Sequence, residues 1–120
     1  ILVCLLPLTP STEGIINRTT LAQLPRGAYF INVARGQHVV DAELIAALDS
    51  GQLAGATLDV FRDEPLPPQH PFWVHPRVTV VPHIAAITQI KTAARTLAAN
   101  VRRCLAGAPL ANVVDRRRGY

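Results

Sequence analysis

The sequence predicts an α/β fold, a doubly wound parallel sheet with only part of the usual strands, followed by one long helix. Four short runs of mostly β-branched and other apolar residues are bounded by Pro or Gly, as is typical of strands covered on both faces. Helical patterns lie between the first three runs, and an apolar period of 3.6 residues dominates the C-terminal part. The 120 residues, 49% of them hydrophobic, are enough for one small core.

The first predicted strand is "ILVCLL" at residues 1–6, which Pro7 and Pro10 end. A loop follows, and Thr19 or Thr20 suits the start of a short helix, "TLAQL", that stops at "PRG". The second buried strand is "AYFINV" at residues 28–33. These elements form the first strand, helix and strand of a parallel arrangement with right-handed crossovers.

The next helix is predicted over residues 42–50, with Asp41 as its N-cap and Gly51 as the glycine beyond its C-terminus. Its spacing puts Leu44, Ile45 and Leu48 on one face. The third strand is expected at roughly Ala56 to Asp59.

The segment "RDEPLPPQHPFWVHP" is expected to lack regular structure, and "RVTVVP" supplies the fourth strand. A helix then runs from about Ile87 to near Gly107. Its apolar stripe consists of Ile90, Ala94, Leu97, Ala98, Val101 and Leu105.

Charge and cysteine usage narrow the choice of partners. The net charge is +4, yet the basic terminal residues have no interleaved aromatic side chains, so a solvated or subunit-packing terminus is favoured over a nucleic-acid partner. Cys4 and Cys104 lack any metal or redox spacing and are expected to be reduced, buried thiols in a cytoplasmic protein without a metal. No apolar run approaches the ~18 residues of a membrane span.

Three polar side chains follow three predicted strands. Arg35 comes after "AYFINV", Glu64 after "GATLDV" and His83 after "VTVVP". Ligands of open α/β sheets bind beyond the carboxyl ends of the strands, so these side chains are expected to meet. Each has a plainer interpretation, as a surface arginine, a solvated glutamate or a core histidine, and only their agreement on one sheet edge favours a site.

The chemistry of this set is coherent. A planar guanidinium binds a carboxylate through two parallel hydrogen bonds, a histidine exchanges protons near neutral pH, and a neighbouring glutamate favours the imidazolium form. Together they suit a small α-keto or α-hydroxy acid. Asp59, at the end of a buried strand, needs a donor and serves either a ligand or a loop. His38, His70 and His75 do not share this placement.

Four motifs, "LPLTPST", "FINVARG", "GATLDVFRDEPLP" and "VVPHIAA", resemble in order and spacing the C-terminal half of the D-isomer-specific 2-hydroxyacid dehydrogenases. Within that family, the segments "GIIN", "PHIAAIT" and "VDRRRGY" are most similar to members that reduce glyoxylate and hydroxypyruvate. The resemblance implies a Rossmann-like fold, with residues 1–86 in the NAD(P)-binding domain and residues 87–120 as a crossing helix and tail that pack on a substrate domain.

The resemblance also implies roles. Arg35 would bind the substrate carboxylate, and His83, paired with Glu64, would protonate the carbonyl oxygen as hydride arrives from the nicotinamide. Asp59 would hold the carboxamide end of the nicotinamide. The remaining cofactor contacts would be Leu6, Pro7 and Thr12 at the adenosine side and Val33, Ala34 and Ala85, with Arg35 and His83, at the nicotinamide.

The family carries a GxGxxG loop for the pyrophosphate, and this sequence has none. We therefore expect a longer protein, with that loop and most of the substrate domain N-terminal to Ile1, and poor cofactor binding by these residues alone. The expected cofactor is NADP or NAD, with NADP favoured, and the full-length protein is expected to be a homodimer.

Two alternatives stay within the same family. One is a non-catalytic, nucleotide-sensing interaction module similar to its corepressor members, which retain the same three residues. The other is formate oxidation, whose enzymes carry glutamine beside the histidine, so Glu64 argues against it.

Overall fold

The computed structural model describes all 120 residues, which divide into two compact units, Ile1–Ala85 and Ala86–Tyr120. The division falls one residue before the predicted boundary at residues 86 and 87. No helix combines the length and the hydropathy that crossing a bilayer requires.

The first unit is built on a four-stranded parallel sheet, as the sequence predicts. Its strands are β1 Leu2–Cys4, β2 Ala28–Asn32, β3 Leu53–Leu58 and β4 Val78–Val80, in the spatial order β1-β2-β3-β4. All four strands therefore end at the same edge of the sheet, and the loops that follow them lie at that edge.

Strand β3 begins three residues before the predicted start at Ala56. Gly55 lies inside this strand, where the Tyr29 ring packs closely against it. A Cβ at Gly55 would lie 2.4 Å from Cε2 of that ring. The glycine leaves room for that ring beside the strand.

Strand β1 is shorter and more exposed than the sequence predicts. Cys4 is buried, but Val3 is 44% exposed and the following Leu5 is exposed. The expectation of a strand covered on both faces is therefore wrong for these residues, because the face that carries Val3 and Leu5 has no packed layer of side chains over it.

Helix α1, Arg18–Ala22, starts earlier than predicted. Its N-cap is Asn17, whose side-chain oxygen accepts from the Thr20 amide at 3.1 Å, while the Thr20 hydroxyl accepts from the Asn17 amide at 2.9 Å. Thr20 thus completes a reciprocal capping box instead of opening the helix.

Helix α2, Asp41–Asp49, has Asp41 as its first residue and Val40, without a side-chain bond, as its N-cap. The predicted N-cap was one residue too late. Gly51 follows the helix with φ of +72°, which confirms the prediction that a glycine in the left-handed conformation ends it. Leu44 and Leu48 are fully buried.

The core of the first unit lies between α2 and the sheet. Phe30, Leu44, Leu48, Leu53 and Leu58 are all buried. Each such side chain contributes about 1.5–3 kcal/mol of transfer free energy, so the sheet and α2 form a rigid base beneath the loops.

The proline-rich segment contains a short 3-10 helix, Pro71–Trp73, which the sequence analysis did not predict. Nδ1 of His70 accepts from the Phe72 amide at 3.3 Å, and Phe72 is buried with its ring centroid 6.5 Å from that of Phe61. This contact anchors the loop after β3 to the core.

The second unit consists of helix α3, Ile90–Leu105, and a tail folded back on it. The side chain of Asn100 bonds to the backbone of Ala111 twice: its Oδ1 accepts from the Ala111 amide at 2.9 Å, and its Nδ2 donates to the Ala111 carbonyl at 3.1 Å. The helix begins three residues after the predicted start and none of its residues is buried. Cys104 is consequently exposed, which corrects the prediction of a buried thiol, and both cysteines are free.

Candidate active site

The loops after β2, β3 and β4 carry Arg35, Glu64 and His83, the three polar residues selected from the sequence. All three side chains are exposed at the sheet edge where the strands end. Arg35 therefore avoids the cost of a buried cation.

Glu64 and His83 are in direct contact. Oε2 of Glu64 lies 2.8 Å from Nδ1 of His83, and Oε1 accepts the Phe61 amide at 2.9 Å. The hydrogen bond from His83 lowers the pKa of Glu64 below its ordinary 4.5, and the Phe61 amide and the charge of Arg35 add to this. Because an ionised carboxylate only accepts, the proton between them belongs to Nδ1, and Nε2 of His83 is left to face a ligand.

The backbone of His83 is unusual. Its φ is +54°, in the left-handed region that residues other than glycine rarely occupy. Asp59, only 2% exposed, accepts the next two amides through separate oxygens, Ile84 at 2.8 Å and Ala85 at 2.9 Å. The end of β3 therefore holds the chain on the far side of His83.

Of the two roles that the sequence allowed for Asp59, the structure shows the loop cap. Its contact with a nicotinamide stays a prediction. A carboxylate at the end of a buried strand is stabilised here by two charge-assisted hydrogen bonds to backbone amides.

Arg35 has no acidic partner among the salt bridges of the chain. Its Nη1 donates to the Ala34 carbonyl at 2.6 Å, and the other guanidinium donors are available to a ligand. Its charge is nevertheless close enough to help lower the pKa of Glu64. The charges of Arg35 and His83 thus both act on the Glu64 carboxylate.

Gly36 explains how the loop of Arg35 reaches the loop of Glu64. A Cβ at Gly36 would lie 1.8 Å from the carbonyl carbon of Phe61 and 2.2 Å from the Arg62 amide nitrogen. Only a residue without a side chain allows this approach. The residue after Arg35 must therefore be glycine for the two loops to pack together.

Two buried polar residues support the loop of Arg35, although Asn32 was not singled out in the sequence and His38 was placed outside the set of strand-end residues. Asn32 is fully buried at the end of β2, where its Oδ1 accepts the Ala34 amide at 3.1 Å and its Nδ2 donates to the Arg35 carbonyl at 3.0 Å. His38 is also fully buried. An amide in the last position of an otherwise apolar strand was a usable signal for Asn32, whereas nothing in the sequence around His38 distinguishes it.

His70 and His75 lie in the loop between β3 and β4, as predicted. Nε2 of His70 is 3.5 Å from Asp41, and Nε2 of His75 is 3.2 Å from Asp49. Both therefore contact the carboxylates of α2, unlike His83.

The predicted cofactor contacts come from the loops after all four strands. Leu6, Pro7 and Thr12 follow β1, and the Thr12 hydroxyl donates to the Pro7 carbonyl at 2.8 Å, which shapes that loop. The exposed members include Leu6, Pro7 and Ala85, whereas Ala34 is buried. Exposed apolar residues beside polar groups suit the flat rings of a dinucleotide, with Leu6 and Pro7 predicted at the adenosine and Ala85 at the nicotinamide. The remaining predicted contacts are Val33, Arg35, Asp59 and His83.

A cavity of about 620 Å³ adjoins the paired Glu64 and His83. Its other walls are apolar. They are formed by Phe61, Pro65, Leu66, Trp73, Val80 and Pro82. Glu64 and His83 are thus the two titratable side chains of this cavity.

Comparison with known proteins gives a consistent result. Residues 1–85 match the family model "D-isomer specific 2-hydroxyacid dehydrogenase, NAD binding domain". A D-isomer specific 2-hydroxyacid dehydrogenase from Xanthobacter autotrophicus Py2, in complex with NADPH and MES, is 57% identical, with a TM-score of 0.94 over 98% of this chain and 49% of its own.

Two further solved structures are similar. The NADPH-dependent glyoxylate/hydroxypyruvate reductase of Sinorhizobium meliloti, in complex with NADP and sulfate, is 46% identical, with a TM-score of 0.91 over 98% of this chain and 39% of its own. A probable 2-hydroxyacid dehydrogenase of Rhizobium etli CFN 42, in complex with NADP, HEPES and L(+)-tartaric acid, is 37% identical, with a TM-score of 0.88 over the same shares. The α/β sheet is thus the Rossmann-like fold of these relatives, and the chain spans half of their length or less.

Proposed function

The chain belongs to the D-isomer specific 2-hydroxyacid dehydrogenases, and we propose that the protein carrying it reduces glyoxylate or hydroxypyruvate to the 2-hydroxy acid with NADPH. The observation that carries this proposal is the hydrogen bond between Glu64 and His83, with Arg35 near them and without an acidic partner.

In the proposed reaction Arg35 binds the substrate carboxylate. Its available donors form a planar fork that matches two carboxylate oxygens. The loop that bears it is held by Asn32 and packed against Phe61 through Gly36. The substrate is therefore oriented before the reaction, which lowers the entropic part of the barrier.

His83 acts as the general acid. Its Nδ1 donates to Glu64, so the proton that reaches the keto oxygen comes from Nε2 of the imidazolium. Glu64 stabilises the cationic ring before the transfer, and Arg35 with the ring stabilises negative charge that develops on the oxygen. The carbonyl π bond breaks, one C–H and one O–H bond form, and neutral His83 regains a proton from water.

Bound reduced nicotinamide supplies the hydride. We propose that the loops after the four strands hold it, with Asp59 and Ala85 near the carboxamide. NADP is favoured over NAD because the Xanthobacter and Sinorhizobium relatives are structures with NADPH or NADP.

The proposal also includes a homodimer and a cytoplasmic location. The first is supported by family resemblance, and the second by two cysteines that form no disulfide. Sedimentation of the complete protein would test the first, and fractionation of cells the second.

The experiment that tests the function compares the complete protein with His83→Ala and His75→Ala, after the intact mass of the protein has been measured. NADPH oxidation is followed with glyoxylate and with hydroxypyruvate. His75 is a matched control because it also contacts a carboxylate, Asp49, from a loop. We expect His83→Ala to lose ~10²–10⁴-fold in turnover and His75→Ala to retain it. Equal turnover of wild type and His83→Ala would refute the assignment.

A further inference from the structure

We propose that His38 is a positioning residue that ties the loop bearing Arg35 to the loop after β1, and so links substrate binding to cofactor binding. The inference rests on the proposed function for the ligands of the two loops. The contacts themselves are independent of it.

His38 lies at the end of the 3-10 turn Gly36–His38 and has no exposed surface. Its Nδ1 is 3.0 Å from the carbonyl oxygen of Arg35, and its Nε2 is 3.3 Å from the carbonyl oxygen of Pro7. The ring therefore bridges two backbone segments that are distant in the chain, since His38 and Pro7 are 31 residues apart.

Both partners of the ring are carbonyl oxygens, which only accept hydrogen bonds. A neutral imidazole has one N–H and donates to one of them at a time, whereas an imidazolium donates to both. The doubly protonated ring therefore bonds both loops at once, whereas the neutral ring bonds one carbonyl and packs its other nitrogen against the second. A movement of either loop that displaces its carbonyl oxygen therefore changes the hydrogen bonding of the ring.

Each bridged segment has a second tie that sets its shape. The Thr12 hydroxyl also donates to the Pro7 carbonyl, at 2.8 Å, and Asn32 Nδ2 also donates to the Arg35 carbonyl, at 3.0 Å. His38 is the residue that contacts both of these carbonyls through its side chain. Its loss would leave each loop formed but would remove their common restraint.

Two conservative substitutions separate the two contacts. The amide nitrogen of asparagine approximates the position of Nδ1, and that of glutamine approximates the position of Nε2. His38→Asn thus retains a donor for Arg35, and His38→Gln retains a donor for Pro7. Val39→Ala is the control, because Val39 is a buried neighbour whose truncation weakens the core without removing either contact.

The measurements on the complete protein are the KM for glyoxylate, the Kd for NADPH from its fluorescence, kcat and the thermal midpoint. We expect His38→Asn to weaken NADPH binding and His38→Gln to raise the KM for glyoxylate, each by about two- to tenfold, the effect of one net hydrogen bond. Val39→Ala should lower the thermal midpoint and leave both constants unchanged.

Equal effects of His38→Asn and His38→Gln on the two constants, or no effect beyond that of Val39→Ala, would overturn the inference. A second measurement needs no variant. In wild-type protein labelled with ¹⁵N-histidine, NADPH should shift the imidazole resonances of buried His38, and resonances that do not move would also overturn it. Failure of wild type to reduce glyoxylate or hydroxypyruvate would instead refute the proposed function, and the NMR result would still decide whether the ring senses the cofactor.

Discussion

Nδ1 of His83 lies 2.8 Å from Oε2 of Glu64, although the two residues belong to loops after different strands. The other oxygen of Glu64 accepts the Phe61 amide. The carboxylate is thus held on both sides, and the imidazole that it orients directs Nε2 away from it. This relationship is the geometric basis of the acid catalysis that we propose for His83.

Glu64→Gln should lower turnover with keto acid by roughly ten- to hundredfold, a part of the ~10²–10⁴-fold contribution of a general acid. A neutral amide no longer stabilises the imidazolium, although it can still bond to the ring. Steady-state kinetics of the complete protein would measure the loss. Glu13→Gln, which changes an exposed glutamate outside the proposed catalytic set, is the control. Turnover of Glu64→Gln equal to that of Glu13→Gln would exclude a role for the charge.

Glu64 should also contribute to stability in a pH-dependent manner. Its pKa in the folded protein is below the ordinary 4.5, so its contribution is complete above that pH and is lost as the pH falls through the folded value. The thermal midpoints of wild type and Glu64→Gln should therefore differ more at pH 7 than at pH 3. A difference that grows on acidification would contradict the direction of the pKa shift.

Arg35→Lys should raise the KM for keto acid by about ten- to hundredfold, because a hydrogen bond to a charged group contributes ~1.5–3 kcal/mol. Lysine retains the charge but cannot present a planar fork to a carboxylate. Arg26→Lys is a suitable control, since Arg26 is an exposed arginine that bonds to the Ser50 carbonyl. Similar KM values for the two variants would argue against carboxylate binding by Arg35.

Asp59→Asn should release the loop that follows His83. One oxygen of the amide can still accept, but its NH₂ group would face a backbone N–H, so one of the two bonds to Ile84 and Ala85 is lost. We expect the free energy of unfolding to fall by about 1–3 kcal/mol. Hydrogen exchange should show faster exchange of these two amides. Unchanged protection of both would show that Asp59 does not hold the left-handed turn.

Gly36→Ala should destabilise the protein by about 3 kcal/mol, at the upper end of overpacking costs, because the added Cβ meets the Phe61 backbone at 1.8 Å. Gly27→Ala separates this clash from conformational strain. Gly27 has φ of +79° and open space around it, so its substitution should cost only ~1–2 kcal/mol. Chemical denaturation would compare the two, and an equal or larger loss for Gly27→Ala would contradict the packing argument.

Local patterns predicted the elements better than their ends. Glycine at 51 and the strand "AYFINV" are explained by residues adjacent in the chain. Both predictions were confirmed, although the strand ends one residue early, at Asn32. The N-cap of α1 was misplaced because Asn17 and Thr20 cap reciprocally, which single-residue preferences do not reveal. The exposure of β1 was missed because burial depends on what packs over each face of the sheet, which the local sequence does not show.

The sequence by itself determined that the strands are parallel and that Arg35, Glu64 and His83 follow three of them, because hydrophobic period and strand ends are local properties. Only the tertiary structure decided that Glu64 meets His83, that Asp59 caps the turn beyond it, and that buried Asn32 and His38 hold the carbonyl of Arg35. The first two contacts join residues from different segments of the chain, and the burial of Asn32 and His38 depends on how the loops pack over the sheet. The chain encodes the set of side chains, and the fold gives them their hydrogen-bond partners.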